Sequence, residues 1–184
     1  MAVRQVQGVV VKEWSHKNCF MKIRILSFLL LITTNVFSQN NLKNLLKMYN
    51  TESIPYISVT QLQKTAANLI LLDVREKKEF KTSHLKNAKY GGYTAFNLKE
   101  TLKKIPNKMS KIVVYCSLGI RSEDIAEKLK VAGYTNVLNL YGGIFEWKNK
   151  GNPVFDSNGK TTEKIHIFSK EWSKWLLKGK KVYE

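Results

Sequence analysis

One cysteine, set between an apolar run and a helical pattern, has the surroundings that chemistry needs. Residues 113–122 read Val-Val-Tyr-Cys-Ser-Leu-Gly-Ile-Arg-Ser. The β-branched run ends at Cys116, four residues including Gly119 follow, Arg121 comes next, and a helical pattern opens at Ser122. A thiol at a helix N-terminus meets unpaired N–H groups and the positive end of the macrodipole, and both stabilise thiolate over thiol. Arg121 adds a permanent positive charge nearby. Ser117 and Gly119 are small enough to let the loop curl, so that several N–H groups converge as a nest for an anion. The expected product is a nucleophile that meets an anionic substrate and holds a charged covalent intermediate. The competing reading is a small buried hydrophobe at a strand end. The Cys-x4-Arg spacing, the glycine inside it and the helix directly after it favour the reactive thiolate.

Such a loop has to be held by a strand before it and a helix behind it. Leu69 to Val74 and Lys111 to Cys116 are continuous apolar runs, as expected of strands buried on both faces of a parallel sheet. Asp73 and Arg75 fall at the C-terminal end of the first, where open α/β sheets place their sites. Ile54 to Ile57 reads as an edge strand that tolerates Pro55, and Ala88 to Tyr90 and Asn136 to Leu140 read as two more. The helix after the loop, Ser122 to Ala132, has Ile125, Ala126, Leu129 and Ala132 as its buried stripe and Gly133 as its C-terminal cap. Other helices are expected over 41–50, from a capping box at Ser58 to about Ala67, from Leu98 to Ile105, and at Tyr141 to Trp147, with a short polar helix or turn over 76–81. This alternation predicts an α/β domain with an about five-stranded, mainly parallel sheet, helices on both faces and right-handed crossovers. Beyond it, Asp156–Gly159 reads as a turn, 164–168 as a strand, and 169–177 as a helix with Trp172, Trp175 and Leu176 on its apolar face. This extension is read as a tail docked on the core rather than as a partner-binding element.

The 184 residues suit one domain with extra chain, and the formal net charge is +17. The lysines are spread along the whole chain and no basic run interleaves with aromatics. A solvated surface is therefore expected, and no nucleic-acid partner. Met21 to Ser38 has a basic start (Lys22, Arg24), an apolar stretch from Ile25 to Ile32, and Val36 and Ser38 before a cleavage point at Gln39. It reads as a secretory signal peptide, with Met21 as the true start and residues 1–20 as upstream sequence. The expected protein is exported, periplasmic or secreted, without stable membrane insertion after cleavage. The organisation is then a leader over 21–38, an N-terminal helical segment over 39–53, a core domain over 54–155 and an extension over 156–184. Cleavage removes Cys19, so Cys116 has no partner for an intrachain disulfide. With only His84 and His166 as further soft ligands, no metal site is expected.

At these residues the chain resembles the rhodanese-like family of sulfurtransferases. Leu71-Leu-Asp-Val-Arg75 is similar to the family's Asp-x-Arg strand. Glu79-Phe80, Ser83-His84-Leu85 and Ala88 resemble its E-F…G-H-I…A segment, with Ser83 in place of a glycine and Lys86-Asn87 in place of Pro-Gly. Cys116 to Ser122 resembles the C-x-x-G-x-R-S loop. Leu140 to Trp147 with Gly151 to Val154 resembles the closing L-x-G-G-x-x-x-W…G-x-P-V pattern. Four weak motifs in the right order make a specific signal over about Ile54 to Phe155.

The resemblance implies a sulfurtransferase cycle without a cofactor, in a chain expected to be monomeric. Cys116 would take sulfur from an anionic donor, thiosulfate or a persulfide, and pass it as a persulfide to cyanide or a thiol. The backbone of Ser117, Leu118, Gly119, Ile120 and Arg121 would bind the anion, with the Arg121 side chain on the donor's oxyanion end. Asp73, Arg75 and Ser122 are expected to support the loop, with Arg75 paired to an acid such as Glu79. His84 is expected to make a structural hydrogen bond rather than act as a base, and Trp147 to lie in the core. The loop from Cys116 to Arg121 has six members, one fewer than in the related phosphatases and arsenate reductases. Its length argues for sulfur over phosphorus or arsenic. The alternatives are a persulfide carrier that uses another donor, a non-catalytic binding module working through the basic surface, and, against the loop length, an oxyanion enzyme of the arsenate reductase or phosphatase kind.

Overall fold

The structure is a computed structural model, and it describes residues 42–65 and 68–183. The expected leader at 21–38, the start at Met21, Cys19 and the expected helix end at Ala66–Ala67 lie outside the described residues. Two units divide the chain, Met1–Leu45 and Leu46–Glu184. Of the first, residues 42–45 are described and are helical, and they open helix α1 over 42–49.

The apolar runs form the middle of the second unit. Strands β1 (Tyr56–Ile57), β2 (Leu69–Asp73), β3 (Lys89–Tyr90), β4 (Lys111–Tyr115) and β5 (Val137–Leu140) make one sheet in the order β1-β5-β4-β2-β3. Every neighbouring pair is parallel. The central β4 aligns Leu69 with Lys111 through to Asp73 with Tyr115 on one side, and Ile112 with Val137 on the other. Side chains alternate between faces along a strand. Ile112 and Val114 belong to the core cluster with Ile125, Ala126 and Leu129, yet Val113 and Tyr115 on the opposite face are also 0% exposed. β4 is therefore covered on both faces, which is why it reads as an unbroken apolar run. The short β1 and β3 occupy the edges, and Pro55 stands just outside β1, where its missing N–H costs no ladder bond.

Between the strands lie α2 (Val59–Lys64), α3 (Lys77–Thr82), α4 (Leu98–Lys104), α5 (Arg121–Val131) and α6 (Gly143–Asn149). The Ser58 box is formed: Ser58 Oγ accepts from the Gln61 N–H, and Gln61 Oε1 from the Ser58 N–H. The two departures from the family pattern are tolerated for backbone reasons. Ser83 is extended, with φ −170°, a conformation open to any residue. Asn87 sits at φ +60°, in the left-handed region that asparagine enters more readily than other side-chain-bearing residues.

The extension differs from expectation. Val154–Phe155 (β6) and Thr161–Thr162 (β7) form an antiparallel pair around the turn at Asp156–Gly159. Lys164–His166 (β8) pairs in parallel with Lys180–Val182 (β9), a strand hidden in a lysine-rich segment. The expected helix over 169–177 is instead a 3₁₀ helix, Lys170–Trp175. The three-residue step from Trp172 to Trp175 suits the three-residue turn of a 3₁₀ helix. Only Leu176 of the expected apolar face is fully buried.

Candidate active site

Cys116 follows β4 directly, is 2% exposed, and lines a cavity of about 300 Å³. Ile120 is the N-cap of α5, whose first N–H groups have no acceptor within the helix. The Gly119 N–H donates to Cys116 Sγ over 3.1 Å. Gly119 does so at φ +109°, and a Cβ there would come within 3.3 Å of Leu140 O. Its carbonyl accepts from Asn139 Nδ2 at 2.8 Å and from Asn50 Nδ2 at 2.9 Å. Ser122 Oγ lies 3.5 Å from Sγ but 2.7 Å from Asn139 Oδ1. Donation to Gly119 orients the Asn139 amide, so its oxygen takes the single Ser122 hydroxyl proton. Ser122 supports the loop through Asn139, a residue with no motif to announce it.

The loop backbone is also held from α6. The Ile144 N–H donates to Cys116 O at 3.0 Å, and the Phe145 N–H to Ser117 O at 3.2 Å. Gly143 makes this approach possible. Its φ is +53°, and a Cβ there would collide with Cys116 O and lie 2.7 Å from Ser117 C. The glycine pair of the closing motif is thus a distance requirement on the active loop.

The charges pair differently from expectation. Arg75 meets Asp73, not Glu79: its Nε and Nη2 reach the two Asp73 oxygens at 3.0 and 2.6 Å, and Nη2 also donates to Ser83 O. Residues two apart on an extended segment point the same way, so the Asp-x-Arg pair closes on itself. Both partners are 0% exposed, and Arg75 holds the Ser83 turn rather than the loop.

Glu79 instead receives Arg121. Arg121 Nη1 and Nη2 donate to Glu79 Oε2 and Oε1 at 2.8 and 2.9 Å, Ser117 Oγ donates to Oε1 at 3.1 Å, and the Glu76 N–H to Oε2 at 2.9 Å. Four donors fill the carboxylate. Burial pushes the Glu79 carboxyl up, but the hydrogen bonds and charge of Arg121, with Arg75 beyond, outweigh it and hold the group below the usual carboxylate range. Burial likewise works against the charged Arg121, and Glu79 and Cys116 together raise it. The Arg121 fork engages a buried carboxylate and fastens α5 and Ser117 to α3, and the same side chain lines the cavity beside Cys116.

His84 Nδ1 lies 3.0 Å from Phe80 O and donates to it, with its ring stacked on Phe80 at 4.2 Å. Trp147 is half-buried and its Nε1 donates to Pro153 O, so it pins the Gly151–Val154 turn rather than filling the core. Five cavity residues come from outside any motif: Glu76, Tyr93, Thr94, Phe168 and Trp172. Tyr93 donates to Asp124 Oδ2 at 2.5 Å, and Phe168 and Trp172 come from the extension. The Arg121 guanidinium lies 4.7 Å from the Phe168 ring centroid and 5.9 Å from that of Tyr93. The extension expected only to cover the core therefore walls the site. Among the described residues no group of three or more His, Cys, Asp or Glu side chains is placed to hold a metal ion.

Comparison with known proteins bears on the same region. The rhodanese-like domain model matches residues 58–150, just over half of the chain. The thiosulfate sulfurtransferase GlpE of Coxiella burnetii is 29% identical over 107 residues, which is 58% of this chain and 95% of that protein. A sulfurtransferase of Allochromatium vinosum is 31% identical over 108 residues, 55% of this chain and 92% of that one. The probable adenylyltransferase/sulfurtransferase MoeZ of Mycobacterium tuberculosis is 33% identical over 85 residues, but the match spans only 21% of its length. Among solved structures, a thiosulfate sulfurtransferase from Pseudomonas aeruginosa superposes with a TM-score of 0.51 at 27% identity, over 56% of this chain and 20% of that one. With the parallel sheet, the cysteine loop behind β4 and the family model agreeing over the same residues, the chain belongs to the rhodanese-like domain family.

Proposed function

We propose that the protein is a sulfurtransferase that carries sulfane sulfur on Cys116. The observation behind this reading is Cys116 Sγ itself, lining a small cavity and receiving a loop N–H at the head of α5. In the first half-reaction the Cys116 thiolate attacks the outer sulfur of a donor such as thiosulfate. A bond forms between Sγ and that sulfur, the donor's S–S bond breaks, and sulfite leaves with the electron pair. In the second, cyanide or a thiolate attacks the outer sulfur and Cys116 leaves as thiolate. Each step exchanges one bond to sulfur for another, so the cycle balances without an outside oxidant. The N–H groups of residues 117–121 would hold the anionic end of the donor and the charged persulfide.

Purified protein is expected to form thiocyanate from a sulfane donor and cyanide, and to gain one sulfur on Cys116 in intact-mass spectra. Cys116→Ser is expected to do neither. Equal behaviour of the two proteins would remove the proposal. We further read Met21 to Ser38 as an export leader. N-terminal sequencing of the exported protein should then begin at Gln39, and a retained leader would refute that part alone.

A further inference from the structure

The cavity walls carry a choice between donors. Thiosulfate is a dianion with no carbon, and a site built for it would offer free cations. This cavity does not, among the described residues. Its one lining cation is Arg121, already held by both oxygens of Glu79, and no lysine lines it. Its other lining charge is the Glu76 carboxylate, whose Oε1 accepts from the Thr94 N–H and hydroxyl at the same wall. The protein's formal charge of +17 draws any anion toward the surface, but that field is screened over about 10 Å and steers approach rather than fit.

What the cavity offers instead is rings. Phe168 lies face-on to the Arg121 guanidinium and remains 56% exposed, so its own chain leaves much of it uncovered. Trp172 lines the same cavity and is set by an edge contact with Tyr49, with centroids 6.0 Å apart. Tyr93 is fixed by its hydrogen bond to Asp124. A volume of about 300 Å³ lies at the lower end of small-molecule sites, with room for one ring and a sulfur group.

Resting on the sulfurtransferase reading above, we propose that Phe168 and Trp172 make the site selective for organic, singly charged sulfane donors with an aromatic or bulky apolar group, of which a thiosulfonate is the simplest. The anionic head meets the loop N–H groups, and the apolar group lies against the two rings and the half-neutralised guanidinium. The Cys116 thiolate attacks the outer sulfur of R–SO2–S⁻. The new S–S bond forms, the donor's S–S bond breaks, and the sulfinate R–SO2⁻ leaves with the electron pair, conserving atoms and charge.

The test compares benzenethiosulfonate with thiosulfate, as kcat/KM with cyanide as acceptor and as sulfur gained on Cys116 by intact mass. The wild-type protein is expected to prefer benzenethiosulfonate at least tenfold. Trp172→Ala and Phe168→Ala are each expected to lower that preference about tenfold, while Trp172→Phe and Phe168→Leu keep most of it. The ratio is the readout, because partial unfolding lowers both donors together, and the two conservative variants preserve the walls if an alanine variant does not fold. A wild-type ratio near one, or a ratio that the alanine variants leave unmoved, overturns the proposal and leaves sulfur transfer standing; the rings then serve another occupant, such as a protein segment. If neither donor places sulfur on Cys116, the sulfurtransferase reading falls and this one falls with it.

Discussion

The cavity has two kinds of wall, the loop from Cys116 to Arg121 and the rings of Phe168 and Trp172. The loop is held by backbone groups and buried polar side chains: Gly119 O between two asparagines, Cys116 O and Ser117 O under α6, and Arg121 in the four-donor shell of Glu79. The ring wall is held by aromatic contacts near the surface, with Trp172 against Tyr49 and Phe168 against Arg121. Directional bonds in a buried setting fix positions tightly and fail together when one member is lost. Ring contacts are individually modest and tolerate exchange. The proposed chemistry thus sits on the rigid wall and the proposed selectivity on the adaptable one.

The sharpest way to break that contrast is Gly143→Ala. The added Cβ meets Cys116 O and Ser117 C in a backbone conformation that already strains an L side chain. A loss of about 3 kcal/mol in denaturant unfolding is expected, with at least a hundredfold fall in sulfur transfer from the displaced loop.

Glu79→Gln comes next. It leaves Arg121 hydrogen-bonded but without its counter-charge, and about 2 kcal/mol should be lost at neutral pH. The pH dependence carries the sign. Because the native Glu79 carboxyl is held below its usual value of 4.5, its contribution is fully present above that value and is lost as pH falls through the lower native one. Urea titrations from pH 7 to 3 should show wild type losing stability more steeply than Glu79→Gln in the acid range. Parallel curves would mean that the pair does not anchor the loop.

The smallest effect belongs to the ring wall. Tyr49→Leu removes the edge contact to Trp172 but keeps apolar bulk, and should cost no more than about 0.5 kcal/mol. A larger loss would place the ring wall in the same cooperative unit as the loop.

The same division decided what could be read in the chain. β2, β4 and α5 declared themselves because unbroken apolar runs and a 3.6-residue stripe are direct images of burial. All five strands expected in the core domain entered the sheet, with two at its edges. The loop was legible because cysteine, glycine and arginine at fixed spacing reflect local backbone demands. Partners set by tertiary approach were not legible. Arg75 could have met Glu79 by sequence distance, yet the extended backbone turned it to Asp73. Asn139, 0% exposed, is a polar residue inside an apolar strand, and that placement between Leu138 and Leu140 was the available signal of a structural duty. Phe168 and Trp172 carried no signal toward the site, since nothing local says which surface a tail will reach. Lys180–Val182 was obscured because an edge strand rich in lysine looks like solvated chain.

The near-complete burial of Cys116 has a consequence in time rather than in space. On the sulfurtransferase reading, a sulfur carried on a thiol that is 2% exposed, in a cavity of about 300 Å³ that Phe168 and Trp172 also line, would be sheltered from the thiols of folded proteins. Molecules small enough to enter would discharge it and larger ones would not. The lifetime of the loaded protein would then follow the supply of small thiols around it.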